Sequence, residues 1–140
     1  MSFYLDTNVI MSLFFEDDHS SRVDSWLSLK PRNIVLSHWA ETEFTAIVMR
    51  RTRTAEISFH DAASVLSSLK SWIVRRTERA EFPPGAGQLA TLLTSLPELK
   101  LSAPDALHLA LSASGGYILV TLDKRLADAA AFRGYPVEMP

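Results

Sequence analysis

Short apolar runs alternate with segments of helical spacing along the whole chain, and this alternation constrains the fold more than any other feature. Strands that alternate with helices favour right-handed crossovers, and therefore a mostly parallel sheet with helices on both faces. The sequence thus predicts an α/β fold. The candidate strands are Phe3–Leu5, Ile34–Leu36, Trp72–Val74, Tyr117–Val120 and a short last strand at Val137.

Candidate helix boundaries lie between these runs. Three Ser-x-x-Asp patterns are typical of capping boxes: Ser21 to Asp24, Ser58 to Asp61 and Ser102 to Asp105. Helical spacing also runs over Ser37–Arg51, Gln88–Ser95 and Asp123–Phe132. The most conspicuous loop is Pro83–Gly87.

The size and composition indicate a single domain over residues 1–140. The chain is 47% apolar and 21% charged, which is typical of a packed globule. It contains no cysteine, so disulfides, thiolate metal sites and a cysteine nucleophile are excluded.

We expect a soluble, cytoplasmic protein with no membrane partner. The apolar runs are far shorter than the ~20 residues that span a bilayer. The start of the chain lacks the basic segment of a signal peptide, and Asp6 interrupts its apolar run. The net charge is −2, so any contact with nucleic acid has to come from local basic patches.

Four acidic residues stand near predicted strand ends or helix starts. Asp6 follows the first strand directly, and Glu43 lies two helical turns into the helix after the second strand. Asp123 comes three residues after Val120, while spacing alone places Asp105 only loosely. In parallel sheets, ligands bind beyond the carboxyl ends of the strands.

Clustered carboxylates have one main chemical use in a chain without cysteine. Hard oxygen ligands suit Mg²⁺ or Mn²⁺, and such ions also bind substrate phosphates. A bound divalent ion generates hydroxide and stabilises charge on phosphorus during displacement. The acids therefore suggest metal-assisted phosphodiester hydrolysis. Structural roles stay open for each acid, because Asp6 and Asp123 suit helix N-caps, Asp105 suits a capping box and Glu43 suits a solvated helix face.

Together these residues resemble a PIN domain, the ribonuclease fold that includes the VapC-type toxins. Four segments carry the resemblance, in the family's order and across nearly the whole chain: Tyr4–Ile10, Ser37–Phe44, Asp105–Ala110 and Val120–Leu126. In the second segment, the serine followed by a glutamate six residues later favours Glu43 over Glu41. Each pattern is short, and it is the set of four that is specific.

The resemblance implies a PIN-like α/β/α sandwich with a central five-stranded parallel sheet, in which the helix of Asp105 starts at the acidic edge. It implies an endoribonuclease, the toxin of a type II toxin–antitoxin system, that uses Mg²⁺ or Mn²⁺. It also implies a homodimer and a cognate antitoxin whose C-terminal segment occupies the active-site groove. The implied metal ligands are Asp6, Glu43, Asp105 and Asp123, with Thr7 and Asn8 fixing Asp6, and Thr121 bonding a carboxylate or phosphate.

Two groups of arginines are candidate contacts to the RNA backbone. Arg50, Arg51 and Arg53 end one predicted helix, and Arg75 and Arg76 follow the predicted third strand. Their alternative role is favourable charge at helix ends or on solvated loops. His108 lies one helical turn after Asp105, and without a second histidine at ligand spacing it suits a packed, hydrogen-bonded core position.

Two other functions compete with the nuclease hypothesis. One is a catalytically inactive PIN-like domain that binds RNA or protein, and the presence of all four acids argues against it. The other is a phosphate-handling α/β domain with Asp6 as nucleophile. A haloacid-dehalogenase-like phosphatase would carry aspartate at position 8, where this chain has Asn8.

Overall fold

The structure is a computed structural model that describes residues 1–29 and 31–140. Its described residues form five strands: β1 Ser2–Leu5, β2 Asn33–Leu36, β3 Thr77–Arg79, β4 Ile118–Val120 and β5 Val137–Glu138. All neighbouring strands pair in parallel, in the order β3-β2-β1-β4-β5. The predicted five-stranded parallel sheet is therefore confirmed, and β1 lies at its centre.

Seven helices connect the strands in the described part of the chain. They are α1 Thr7–Phe14, α2 Ser20–Ser28, α3 His38–Arg53, α4 Phe59–Arg76, α5 Ala86–Ser95, α6 Ala103–Ser114 and α7 Lys124–Phe132, with one 3₁₀ turn at Pro97–Leu99. In this part of the chain, no helix combines the length and apolar character that crossing a membrane requires.

Alternate residues of each strand face two separate apolar cores. In β1, Phe3 and Leu5 pack on one face, and Tyr4 packs on the other. The first core takes apolar side chains from α1 to α4, and the second takes them from α5 to α7. Because both faces are covered, the strands are apolar throughout their buried lengths. The predicted α/β/α sandwich is confirmed.

The predicted strand at Trp72–Val74 is wrong, because these residues lie in the last turns of α4. Ile73 is buried four residues after Leu69, on the same helical stripe, while Val74 is 84% exposed. A short apolar run does not distinguish a helix from a strand. The actual strand β3, Thr77–Arg79, is polar. Polar and charged side chains are typical of an edge strand, because they discourage pairing with another chain.

Of the three serines predicted to begin capping boxes, Ser58 and Ser102 are N-caps in the structure. Each serine hydroxyl accepts a hydrogen bond from the N–H of the aspartate three residues later. The Asp61 N–H donates to Ser58 at 3.0 Å, and the Asp105 N–H donates to Ser102 at 3.4 Å. The box predicted at Ser21 is wrong, because α2 starts at Ser20. The hydroxyl of Ser20 instead donates to the Ser12 carbonyl at 2.7 Å, and so fixes the loop that precedes the helix.

We predict that Phe44→Ala lowers the free energy of unfolding by about 3–5 kcal/mol, since the ring is fully buried in the first core. It packs edge-on against Phe14, with 5.8 Å between ring centroids. Phe59→Ala is the matched control, because Phe59 is 72% exposed. Urea unfolding monitored by circular dichroism measures both variants. Equal losses in the two variants would contradict the assignment of Phe44 to the core.

Candidate active site

The four predicted acids line one cavity of about 500 Å³ at the carboxyl edge of the sheet. Asp6 follows β1, and Asp123 lies between β4 and α7. Glu43 projects from α3, and Asp105 lies in the first turn of α6. Asp105, which spacing placed only loosely, reaches this edge because α6 starts there. The helix start implied by the resemblance is thus observed.

Asp6 occupies the N-cap position of α1, but its side chain makes no capping hydrogen bond. Its Oδ2 accepts a hydrogen bond of 2.7 Å from the Thr121 hydroxyl instead. The residue is only 4% exposed. Burial raises the pKa of Asp6, although the nearby His108 and the Thr121 hydrogen bond act in the opposite direction. Asp6 is thus a buried carboxyl held within the cavity wall, and no helix cap.

Glu43 is held through one carboxylate oxygen. Its Oε1 accepts a hydrogen bond of 2.7 Å from the Thr7 hydroxyl and a second bond from His108 Nε2. Burial acts to raise the pKa of Glu43, but these hydrogen bonds and the charge of His108 outweigh it and lower the pKa. Glu43 therefore lies in the cavity as an oriented carboxylate.

His108 lies between the acids and the second core. It is 1% exposed, and its Nε2 is 3.4 Å from Asp6 Oδ1. Burial acts to lower the pKa of His108, but its hydrogen bond to Glu43 and the charges of Asp6 and Glu43 outweigh this effect and raise it. The imidazole thus supplies a donor, and when protonated a positive charge, behind two carboxylates.

The other ring nitrogen of His108 is fixed by a buried chain of hydroxyl groups. Nδ1 lies 2.8 Å from the Tyr4 hydroxyl, which lies 2.8 Å from Ser37 Oγ. Ser37 Oγ also accepts a hydrogen bond from the Ala40 N–H at the start of α3. Since Nε2 faces the carboxylate of Glu43, it carries a proton whichever way the hydroxyl groups point. The chain therefore orients the imidazole with a donor toward the cavity.

Asp105 and Asp123 complete the acidic wall. Burial raises the pKa of Asp105, and the negative charges of Asp6 and Asp123 raise it further. Asp123 Oδ1 caps α7 by accepting hydrogen bonds from the N–H groups of Arg125 and Leu126, at 2.8 Å and 3.3 Å. The capping role considered for Asp123 is therefore real, yet its side chain still lines the acidic cavity.

Thr121 links the two loops that carry Asp6 and Asp123. Its hydroxyl oxygen accepts hydrogen bonds from the Asn8 side chain at 3.2 Å and from the Asp123 N–H at 3.0 Å. The side-chain Oδ1 of Asn8 accepts a hydrogen bond from the Leu122 N–H at 3.1 Å. Asn8 therefore acts on Asp6 through Thr121, and the hydroxyl of Thr7 bonds Glu43. The resemblance implied that both residues fix Asp6; the Thr7 backbone N–H does bond the Asp6 carboxylate, while the Asn8 side chain reaches it through Thr121.

The structure separates the two groups of arginines. Arg50 and Arg51 line the acidic cavity. Arg51 is engaged, since it lies 3.8 Å from Glu56 and above the ring of Phe15. Arg53 is exposed at the end of α3. Arg75 and Arg76 end α4 and are also exposed, and Arg76 lines a different cavity. Only the first group therefore includes residues beside the acids.

The PIN domain family model matches residues 3–132 of the chain. The chain belongs to the PIN domain family. No curated protein sequence matches it closely enough to count as a relative.

Solved structures have the same fold as this PIN domain at low sequence identity. VapBC2 from Rickettsia felis, bound to a promoter DNA fragment, has a TM-score of 0.72 and 18% identity, over 99% of this chain and 98% of that one. VapC20 from Mycobacterium tuberculosis, a toxin described as cleaving the sarcin-ricin loop, has a TM-score of 0.67 and 19% identity, over 91% and 94%. DNA-bound VapBC from Salmonella typhimurium has a TM-score of 0.69 and 17% identity, over 99% and 98%.

The sequence predicts a core position for His108, but it does not reveal the contact of His108 and Tyr4 with the acids. Both side chains are buried, and their polar atoms form the chain that ends at Glu43. The available indication was spacing: His108 lies three residues after Asp105, so both side chains share one face of α6. The hydroxyl chain has no comparable sequence pattern, because Tyr4 and Ser37 meet only across β1 and β2.

The donor set of this PIN domain suits a hard divalent cation. No group of three or more histidine, aspartate or glutamate side chains among the described residues is arranged to enclose an ion. Mg²⁺ does not need such a cage, since it keeps several waters and binds through one or two carboxylates. Asp6 and Asp105, whose pKa values are raised by burial and whose charges repel, are the groups that a cation stabilises most.

We predict that Tyr4→Phe lowers the free energy of unfolding by about 1–3 kcal/mol, because it removes the hydroxyl that joins His108 Nδ1 to Ser37 in a buried site. Tyr135→Phe serves as the control, since Tyr135 is only partly buried and is expected to change stability by less than about 0.5 kcal/mol. Chemical unfolding of both variants gives the comparison. A Tyr4→Phe protein as stable as the control would show that the hydroxyl chain contributes nothing.

Proposed function

We propose that this PIN domain is a Mg²⁺- or Mn²⁺-dependent endoribonuclease, with the ion held by Asp6, Glu43, Asp105 and Asp123, either directly or through the waters that such an ion keeps. The observation that carries the proposal is the convergence of these four acids, from distant parts of the sequence, on one cavity. Four carboxylates in one cavity repel one another, and a divalent cation relieves that repulsion.

Asp6 and Glu43 each have a distinct support in the fold. Thr121 fixes Oδ2 of Asp6, and Thr7 and His108 fix Oε1 of Glu43. The bound ion would supply a hydroxide and stabilise the charge that develops on the phosphorus. The residues of the chain orient the carboxylates before substrate arrives, so that little rearrangement is needed during the reaction.

We further propose that the protein is the toxin of a type II toxin–antitoxin pair. The solved structures that support this include VapBC complexes and a VapC toxin described as cleaving the sarcin-ricin loop. By analogy, the substrate is RNA, the protein acts in the cytoplasm as a homodimer, and a cognate antitoxin binds and inhibits it. Arg50 and Arg51 would contact the RNA backbone beside the acids.

We predict that Asp6→Asn and Asp105→Asn abolish metal-dependent RNA cleavage, since each removes a carboxylate from the proposed ion site. Asparagine still accepts a hydrogen bond from Thr121, so the fold should remain intact. Asp18→Asn, at an exposed position outside the cavity, is the control and should cleave like the wild type. A gel assay with labelled RNA measures all three. Full cleavage by Asp6→Asn would defeat the nuclease assignment, and RNA binding without cleavage by the wild type would favour the inactive-module alternative.

We predict that Mg²⁺ raises the melting temperature of the wild-type protein and has a smaller effect on Asp6→Asn, because ligands that bind only the folded state stabilise it. In metal-free buffer, Asp6→Asn should itself melt at a higher temperature than the wild type, because it removes a buried charge. Differential scanning calorimetry with added MgCl₂ or EDTA measures both effects. Equal responses of the two proteins to Mg²⁺ would place the ion elsewhere.

A further inference from the structure

A second groove, of about 730 Å³, leaves the acidic cavity on the side of α7. The two spaces share Asp105 and Asp123 in their walls, so they adjoin each other at these acids. The far walls of the groove are the 3₁₀ turn at Pro97–Leu99 and the outer face of α7. A polymer that is cleaved at the acids extends beyond the acidic cavity, and this groove offers it a path.

Beyond the two shared acids, the groove carries charged side chains of both signs, namely the cations Lys100, Lys124 and Arg125 and the acids Glu98 and Asp128. Lys100 follows the 3₁₀ turn, and Arg125 lies in the first turn of α7. Neither takes part in an ion pair among the described residues. Lys124, by contrast, is paired with Asp128 at 2.8 Å. Lys100 and Arg125 are therefore the two cations of this groove that have charge available for a ligand.

An exposed aromatic ring lies at the other end of the groove. Phe132 is the last residue of α7, lines the groove and is 70% exposed. An exposed phenylalanine in the same groove as two unpaired cations is complementary to a nucleotide. The ring can stack on the base, and a cation can contact the phosphate. Base-on-aromatic stacking is tolerant of sequence, because every base has a π-face.

We propose that this groove binds the single-stranded RNA on one side of the scissile phosphate. Phe132 stacks on a base, and Lys100 and Arg125 contact backbone phosphates. The RNA then crosses the four acids between this groove and the arginines Arg50 and Arg51, which line the acidic cavity but not the groove. This inference rests on the proposed function, because it assumes that RNA is the ligand at the acids.

The stacking contact is tested by binding of a short fluorescein-labelled single-stranded RNA of mixed sequence, measured by anisotropy in the Asp6→Asn background so that no cleavage occurs. Adding Phe132→Ala should weaken binding at least about fivefold, since a lost stack costs about 1–3 kcal/mol. Phe132→Trp should retain the affinity. Phe59→Ala removes an equally exposed phenylalanine that lies outside the groove, and should change nothing.

The phosphate contacts are tested by the salt dependence of the same binding. Lys100→Ala and Arg125→Ala should each reduce the slope of log K against log salt by about 0.7, the value expected for one contact to a single strand. Lys70→Ala, at an exposed position on α4, is the control and should leave the slope unchanged.

The outcomes separate this inference from the proposed function. If the wild type cleaves RNA but Phe132→Ala binds as tightly as Phe59→Ala, the groove assignment is overturned and the nuclease assignment stands. The groove would then be free for a protein ligand. If the wild type neither binds nor cleaves RNA, both proposals fall. Loss of affinity in Phe132→Ala with recovery in Phe132→Trp is the supporting result.

Discussion

The parallel pairing of β1 with β4 is the constraint on which the site depends. Its register places Leu5 beside Val120, so that the residues following both strands emerge together. The Asp6 N–H then donates to the Val120 carbonyl at 2.9 Å, and the Thr121 hydroxyl donates to the Asp6 carboxylate at 2.7 Å. A change of register would move the side chains to the opposite face of the sheet and separate these groups.

Because of this pairing, the carboxyl group of Asp6 is held at a position that is almost inaccessible to water. Asp6 is almost fully buried, and its carboxyl is opposed by other acids in the same cavity. Thr121 and His108 offset part of that cost by hydrogen bonding and by charge. They do so from the protein interior, which leaves the cavity side of the acids available. Such a site favours a bound cation, because the ion offsets the repulsion between the carboxylates that Thr121 and His108 leave uncompensated.

The sequence was informative where one segment is enough to determine its own structure. Strands β1, β2 and β4 are short and apolar, and Asp6 follows the first of them directly, so the sheet and the edge that carries the acid were predictable. The polar strand β3 was not, because its pairing with β2 depends on tertiary context. Nor was the contact of Thr7 with Glu43, since it depends on how α1 packs against α3. Such side-chain partners are determined by packing between elements that lie far apart in the sequence.

The most direct test of this account is a crystal structure of the wild-type protein soaked in Mn²⁺, with anomalous data collected to locate the ion. The account predicts a single strong anomalous peak in the acidic cavity, in contact with the carboxylate of Asp6 and at least one other of the four acids, either directly or through water. A fully occupied peak elsewhere on the protein, with the acidic cavity empty at saturating Mn²⁺, would contradict it.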